Sequence, residues 1–199
     1  MIKHSSRLKQ FALAAALLLL AMPAAHAVPI TYTALLNGSS ENPSNASPGT
    51  GNATVVLDTT AHTLDIQVTF SGLIGNTTAS HIHCCIAPPG NVGVATQTPT
   101  FAGFPLGVTS GTYDSTFNMT LASTFNPAFV TNNGGTAAGA EAALAAGLNA
   151  GTAYFNIHTT SFGGGEIRGF LVPEPESFAL MGIGLVGIAV AVRRRKVGE

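Results

Sequence analysis

The chain has 199 residues, of which only 9% are charged, and its eight basic residues are very unevenly placed. Three lie within the first nine residues and four within the last seven, so Arg168 is the single Lys or Arg between residues 28 and 172. That region carries six acidic side chains and a formal charge of −5, which excludes nucleic-acid binding because one cation cannot neutralise a run of phosphates.

The N-terminus has the pattern of a secretory signal peptide over residues 1–27. Three basic residues precede a twelve-residue apolar run at 11–22, and Ala25 and Ala27 supply the small side chains that signal peptidase requires. As a helix, the apolar run would span about 18 Å, which is short of the roughly 30 Å hydrocarbon core. This length favours a cleaved signal over an uncleaved membrane anchor and predicts signal peptidase as a partner.

Residues 28–172 are predicted to form one all-β domain. In residues 64–70, apolar and polar side chains alternate strictly, which places Leu64, Ile66, Val68 and Phe70 on one buried face. Residues 58–61 form a compact turn that predicts a hairpin, and residues 37–51 read as a loop. The other predicted strands are 30–36, 53–57, 79–85, 111–121, 151–158 and 166–172.

An Ala-rich segment at residues 136–148 predicts one short helix across an end of the domain. Short strands separated by Gly-rich turns indicate an antiparallel β-sandwich of Greek-key or immunoglobulin-like type. We therefore expect an all-β sandwich with a single short helix.

Histidines form the most concentrated chemistry in the domain. His81 and His83 flank Ile82 on a predicted strand, so both imidazoles share one face while Ile82 points into the core. His158 lies on a later predicted strand. If the three converge, they offer nitrogen ligands for copper or zinc.

Glu166 and Arg168 flank Ile167 on the last predicted strand and are expected to form a structural pair. In the metal interpretation, Glu166 is a further ligand or an acceptor that orients a histidine. In the alternative interpretation the histidines are structural and hydrogen-bond to Glu166 and to backbone carbonyls, with Arg168 paired to Glu166 or to an acidic strand end.

Cys84 and Cys85 are the two cysteines of the chain. Strand alternation would point them to opposite faces, leaving one thiol buried and one exposed. In an oxidising compartment the alternatives are inert thiols, a vicinal disulfide, an intermolecular cross-link or a soft-metal site.

The C-terminus combines Pro173, Glu174 and Pro175 with an uncharged, mostly apolar segment at 177–192 and a basic cluster that begins at Arg193, Arg194 and Arg195. Sixteen residues give about 24 Å of helix, a marginal transmembrane span. The basic cluster predicts a cytoplasmic C-terminus with the domain on the outer side of the inner membrane. A plain single-pass anchor is the alternative to a processed tail.

Residues 173–199 resemble the PEP-CTERM sorting signal in this three-part pattern. The resemblance implies recognition by an exosortase, an integral-membrane cysteine transpeptidase, in a Gram-negative bacterium that makes exopolysaccharide. It implies passage through the inner membrane to the cell surface or extracellular matrix.

Ala-Ser-His-Ile-His around Ile82, followed later by Phe-Asn-Ile-His-Thr and Gly-Gly-Glu-Ile-Arg-Gly, resembles the CHRD domain across most of residues 30–172. The resemblance implies a β-sandwich with an extracellular binding or matrix role. The chain departs from the family pattern after His83, where Cys84-Cys85 replace the usual Gly/Pro-containing turn.

Motifs for serine hydrolases, zinc proteases and P-loop nucleotide binding are missing from the sequence. We therefore expect a non-enzymatic surface protein that requires no cofactor and binds an exopolysaccharide or an extracellular protein. The alternative is a copper- or zinc-binding or redox domain built on His81, His83 and His158.

Overall fold

The computed structural model describes residues 28–174. The predicted signal peptide, the apolar segment 177–192, Pro175 and the three arginines of the basic cluster lie outside the described residues. Between residues 28 and 174, no helix is long and apolar enough to cross a membrane.

The described chain is mostly β, and all its strand pairings are antiparallel. The eight strands are β1 Ile30–Asn37, β2 Thr50–Asp58, β3 Thr63–Ser71, β4 Thr77–His83, β5 Gly111–Asn118, β6 Tyr154–Thr159, β7 Ile167–Phe170 and β8 Val172–Pro173. Single 3₁₀ turns lie at Gly38–Ser40 and Ala122–Thr124. All seven predicted strand segments contain a strand with adjusted ends, the last of them is divided into β7 and β8, and the predicted hairpin joins β2 to β3.

The strands form one curled sheet in the order β4-β6-β7-β1-β2-β3-β5, with β8 paired to β1. The prediction of an antiparallel all-β domain is therefore confirmed, but the strands form one continuous sheet and not the two layers of a Greek-key or immunoglobulin-like sandwich. The physical reason lies in β1, which pairs with β2 along one side and with β7 and β8 along the other, so its backbone hydrogen bonds join the two halves.

The core lies between the two halves of the curled sheet. Leu64, Ile66, Val68 and Phe70 of β3 are buried as predicted. Phe101, from the long segment between β4 and β5, packs on Phe117 of β5 and on Phe155 of β6 with ring centroids 5.3 Å and 5.9 Å apart. The same segment hydrogen-bonds along the outer edge of β4, so it covers that edge.

Two helices are present where one was expected. The predicted helix is α2 Ala137–Asn149, which begins after Thr136, whose side chain caps it. The additional helix, α1 Pro127–Asn132, has proline at its first position and Asn126 as its N-cap. With six residues it is too short to show an apolar period in the sequence, although the Asn-Pro pair marks its start.

Candidate metal centre

β4 and β6 are hydrogen-bonded neighbours, and their register brings the three histidines together. His81 lies opposite Asn156, His83 opposite Tyr154, and His158 opposite Ala79. Because directly opposed residues point to the same side of a sheet, all three imidazoles lie on one face. Ile82 is fully buried in the core on the other face, as the sequence predicted.

The histidine cluster, defined as His81, His83 and His158, is compact. One ring nitrogen from each residue lies within 4.8 Å of those of the other two. The ring centroids are 5.8 Å apart for His81 and His83, 5.2 Å for His81 and His158, and 5.8 Å for His83 and His158. Side-chain nitrogens at this separation could converge on a single metal ion.

Each ring in the cluster is oriented by a backbone carbonyl. Nε2 of His81 lies 2.6 Å from the Pro99 carbonyl oxygen, and Nδ1 of His83 lies 2.8 Å from that of Val92. Nδ1 of His158 lies 3.0 Å from the Gly163 carbonyl oxygen. A carbonyl only accepts hydrogen bonds, so each of these ring nitrogens carries the proton. The second nitrogen of each neutral ring is then unprotonated and has a free lone pair.

Those second nitrogens are Nδ1 of His81, Nε2 of His83 and Nε2 of His158, and all three are buried without a hydrogen-bond partner. Burial is the main cause that lowers the pKa of all three histidines, and it lowers that of His83 to about 4. The rings are therefore neutral at pH 7, which is the form that binds metal.

Two further buried acceptors without partners accompany the cluster. They are Oδ1 of Asn156, which lies on β6 opposite His81 of β4 and Arg168 of β7, and Oε1 of Glu41. Within residues 28–174, the five buried side-chain polar atoms that lack a partner all belong to the histidine cluster, Asn156 and Glu41. Because buried polar atoms are almost always paired, this concentration of unpaired atoms identifies the region as a candidate binding site.

Arg168 is almost fully buried beside the cluster and binds two loops. Its guanidinium donates to the carbonyl oxygens of Ser40 and Pro89 at 2.5 Å and 2.9 Å and to Oδ1 of Asn91 at 2.7 Å. Its acidic neighbour is Glu41, with Nε and Oε2 3.8 Å apart. The expected Glu166–Arg168 pair is therefore wrong, because the two side chains bind different loops.

Glu166 is also fully buried, and its carboxylate oxygens accept hydrogen bonds from groups other than the histidines. It accepts from the hydroxyls of Ser47 and Thr159, both at 2.6 Å, and from the backbone N–H groups of Ile74 and Gly75. Burial by itself would raise the pKa of Glu166, but these four hydrogen bonds outweigh it and hold the pKa below its usual range. Glu166 therefore does not bind or orient the histidines, which corrects that part of both interpretations, whereas the backbone carbonyls that the structural interpretation predicted do orient them.

Tyr154 connects the histidine cluster to Arg168. Its ring stacks on His83 with centroids 4.7 Å apart and planes within 6°, and the Arg168 guanidinium carbon lies 4.7 Å from the same ring centre. The Tyr154 hydroxyl lies 3.3 Å from both the N–H and the carbonyl of Val92. Tyr154 thus contacts both His83 and the residue whose carbonyl holds His83.

Cys84 and Cys85 form a vicinal disulfide. β4 ends at His83, so the strand alternation that predicted thiols on opposite faces does not reach them. Cys84 is buried in the hydrophobic core, and the two sulfurs lie against Gly147 of α2. This bond leaves no thiol for a cross-link or a metal ligand in this state.

Sequence reasoning missed Tyr154, Asn156 and Glu41. The first two had a signal, because counting back by twos from His158 along β6 reaches Asn156 and then Tyr154 on the same face. Glu41 had none, because it lies in an irregular segment whose path depends on the tertiary fold.

The family model of the CHRD domain matches residues 32–171. The model of the PEP-CTERM protein-sorting motif matches residues 171–196. The chain matches no curated protein and no solved structure.

Proposed function

Because the chain belongs to the CHRD domain family and ends in a PEP-CTERM sorting motif, we propose that it is a surface protein whose CHRD domain holds a copper or zinc ion. His81, His83 and His158 are the proposed ligands. In this proposal the signal peptide directs export, an exosortase processes the tail at the inner membrane, and the domain is displayed at the envelope or in the extracellular matrix.

The observation that supports the metal proposal is the set of three unpartnered ring nitrogens. Each of them is unprotonated, because the other nitrogen of the same ring carries the proton and donates it to a carbonyl, and each lacks a hydrogen-bond partner. In known metal sites, ligating histidines commonly donate their second ring nitrogen to a carbonyl or carboxylate in this way. A structural network would instead be expected to pair both nitrogens of a buried ring.

The donor set favours copper or zinc over harder cations. Imidazole nitrogens suit Zn²⁺ and copper, whereas Ca²⁺ and Mg²⁺ require oxygen ligands. Zn–N bonds of 2.0–2.1 Å place tetrahedral ligands about 3.4 Å apart, whereas the ring nitrogens here lie within 4.8 Å of one another. Closure on an ion therefore requires side-chain movements of about 1 Å, and three ligands would leave a fourth position for water or another small ligand.

Metal analysis of purified residues 28–174 tests this proposal. After exposure to Cu²⁺ or Zn²⁺ and removal of loosely bound ion, we expect one ion per chain, lost in each of His81→Ala, His83→Ala and His158→Ala. His62→Ala is the matched control, because His62 binds Glu141 outside the cluster. Folded protein with no stoichiometric metal, or equal loss in His62→Ala, would refute the metal site.

A second role, binding to a hydroxyl-rich polymer, is supported by the outer face of β2, β3 and β5. A shallow groove there has a volume of about 380 Å³ and is lined mainly by amide, hydroxyl and carboxylate side chains: Asn52, Thr54, Gln67, Thr69, Thr112 and Asp114. Such side chains provide hydrogen-bond donors and acceptors. Retention on the organism's exopolysaccharide, lost in Gln67→Ala combined with Thr69→Ala, is the expected result, and equal retention of the variant would contradict this role.

A further inference from the structure

The first residues of the sorting motif belong to the folded sheet. Pro173 lies opposite Tyr32, and Val172 lies opposite Thr33, so β8 covers the first half of β1. The N–H of Glu174 donates to the Thr31 carbonyl at 3.0 Å. The Pro-Glu-Pro motif therefore begins as an edge strand.

Neighbouring residues hold this strand in register. Leu171 is fully buried, and its N–H donates to the Ala153 carbonyl at 2.9 Å. Pro173 precedes the residue that bonds to β1, and hydrogen-bonded positions alternate along an antiparallel pair. Proline therefore sits where the ladder needs no N–H from β8, which allows the motif to dock without losing a bond.

Only a short stretch of chain separates β8 from the uncharged segment that begins at Ser177. Ser177, where the uncharged segment starts, follows Glu174 by three residues. Three extended residues span at most about 11 Å. An enzyme in the membrane must therefore reach a motif whose first part is held against the domain.

We propose that β8 acts as a latch that restrains the sorting motif, and that exosortase acts on the motif only after β8 detaches from β1. The inference rests on the proposed processing of the tail. Recognition of an extended peptide requires its backbone N–H and carbonyl groups, and in the docked form Thr31 occupies the N–H of Glu174. Val172 is half-exposed and β8 has only two residues, so detachment disturbs little of the core.

The test measures tail removal from the full chain in the native host by pulse-chase, following the loss of the C-terminal segment. Six residues, Gly-Ser-Gly-Ser-Gly-Ser, are inserted between Val172 and Pro173 to free the motif. The matched control carries the same insertion between Asn133 and Gly134, an exposed turn with open space around the glycine. A second variant, Val172→Pro, removes an N–H from β8, with Val172→Ala as its control.

We expect processing to accelerate about tenfold in the linker variant, the factor that corresponds to one or two net backbone hydrogen bonds. Val172→Pro should accelerate it in the same direction, and both controls should match the wild type. Unchanged or slower processing of the two test variants, with the domain still resistant to protease, would overturn the latch. If the wild-type protein keeps its tail in the native host, and does so equally in a host that lacks exosortase, the proposed processing itself is refuted.

Discussion

The imidazole of His83 stacks on the ring of Tyr154, with centroids 4.7 Å apart and planes within 6°. β4 and β6 place these residues directly opposite each other. The stack fixes the plane of the His83 ring, and the Val92 carbonyl fixes its rotation by accepting from Nδ1. The proposed metal-binding nitrogen of His83 is thus oriented by an aromatic neighbour and a loop carbonyl together.

Substitution of Tyr154 separates the contribution of the ring from that of the hydroxyl. We expect Tyr154→Ala to lower the free energy of unfolding by about 3–5 kcal/mol, because a buried aromatic side chain is removed. Tyr154→Phe keeps the stack and loses only two long hydroxyl contacts, so it should cost about 1 kcal/mol or less. Urea unfolding of residues 28–174 measures both, and equal losses would show that the stack contributes little.

Arg168 should be intolerant of conservative replacement. Arg168→Met keeps much of the side-chain volume but leaves carbonyls of two loops unpaired and Glu41 without its cationic neighbour. We expect a loss of about 3–5 kcal/mol in the free energy of unfolding. Arg168→Lys keeps the charge but cannot reach both loops with one ammonium group, so it should recover only part of the loss. Full recovery with lysine would contradict the role given to the guanidinium.

The pH dependence of stability should change when Glu41 is replaced. Burial raises the pKa of Glu41 to about 7, against the partial opposition of Arg168 and a backbone hydrogen bond. Between pH 4.5 and 7 the folded state therefore holds a proton that the unfolded state releases, so this residue makes stability fall as pH rises. The contribution of Glu41 to the free energy of unfolding therefore falls by about 3 kcal/mol between pH 4.5 and 7.

Glu41→Gln should remove that slope, so its free energy of unfolding relative to wild type should rise between pH 4.5 and 7 and then level off. Glu166→Gln is the control of opposite sign. The pKa of Glu166 is held low, so its contribution is present above the unfolded pKa and is lost as pH falls through its folded value. Parallel curves for wild type and Glu41→Gln would contradict a buried Glu41 with a raised pKa.

Gly147 should resist replacement by alanine even though it lies in a helix. Alanine is favoured over glycine by about 1 kcal/mol in a helix interior, but a Cβ at this position would overlap the sulfurs of both Cys84 and Cys85. Overpacking of this kind costs about 1–3 kcal/mol, so we expect Gly147→Ala to be neutral or destabilising. In the background Cys84→Ala with Cys85→Ala the same change should become stabilising, and additive effects would refute the contact.

The cysteines themselves can be checked by mass spectrometry of the exported protein. We expect no alkylation without reductant and two alkyl groups per chain after reduction, because Cys84 and Cys85 are bonded to each other. A disulfide-linked dimer on a non-reducing gel would contradict this pairing.

Local patterns determined a large part of this protein. The period of two along β3 identified its core residues and along β4 placed Ile82 in the core, and an Ala-rich segment identified α2. Two histidines spaced by two residues share a face in any strand, so their pairing needed no tertiary information. The family resemblance and the sorting motif were likewise carried by short residue patterns that the family models match.

The partners of the buried charges were decided only by the tertiary structure. Glu166 and Arg168 are two residues apart and of opposite charge, yet the curl of the sheet brings Ser47 to one and Ser40 and Pro89 to the other. Glu41 approaches Arg168 across more than a hundred residues of sequence. Hydrogen bonds between distant loops depend on where the chain returns in space, and no local periodicity encodes that. The sequence could therefore place His81 and His83 on a common face, whereas the fold brought His158 to them and determined which ring nitrogens stay free.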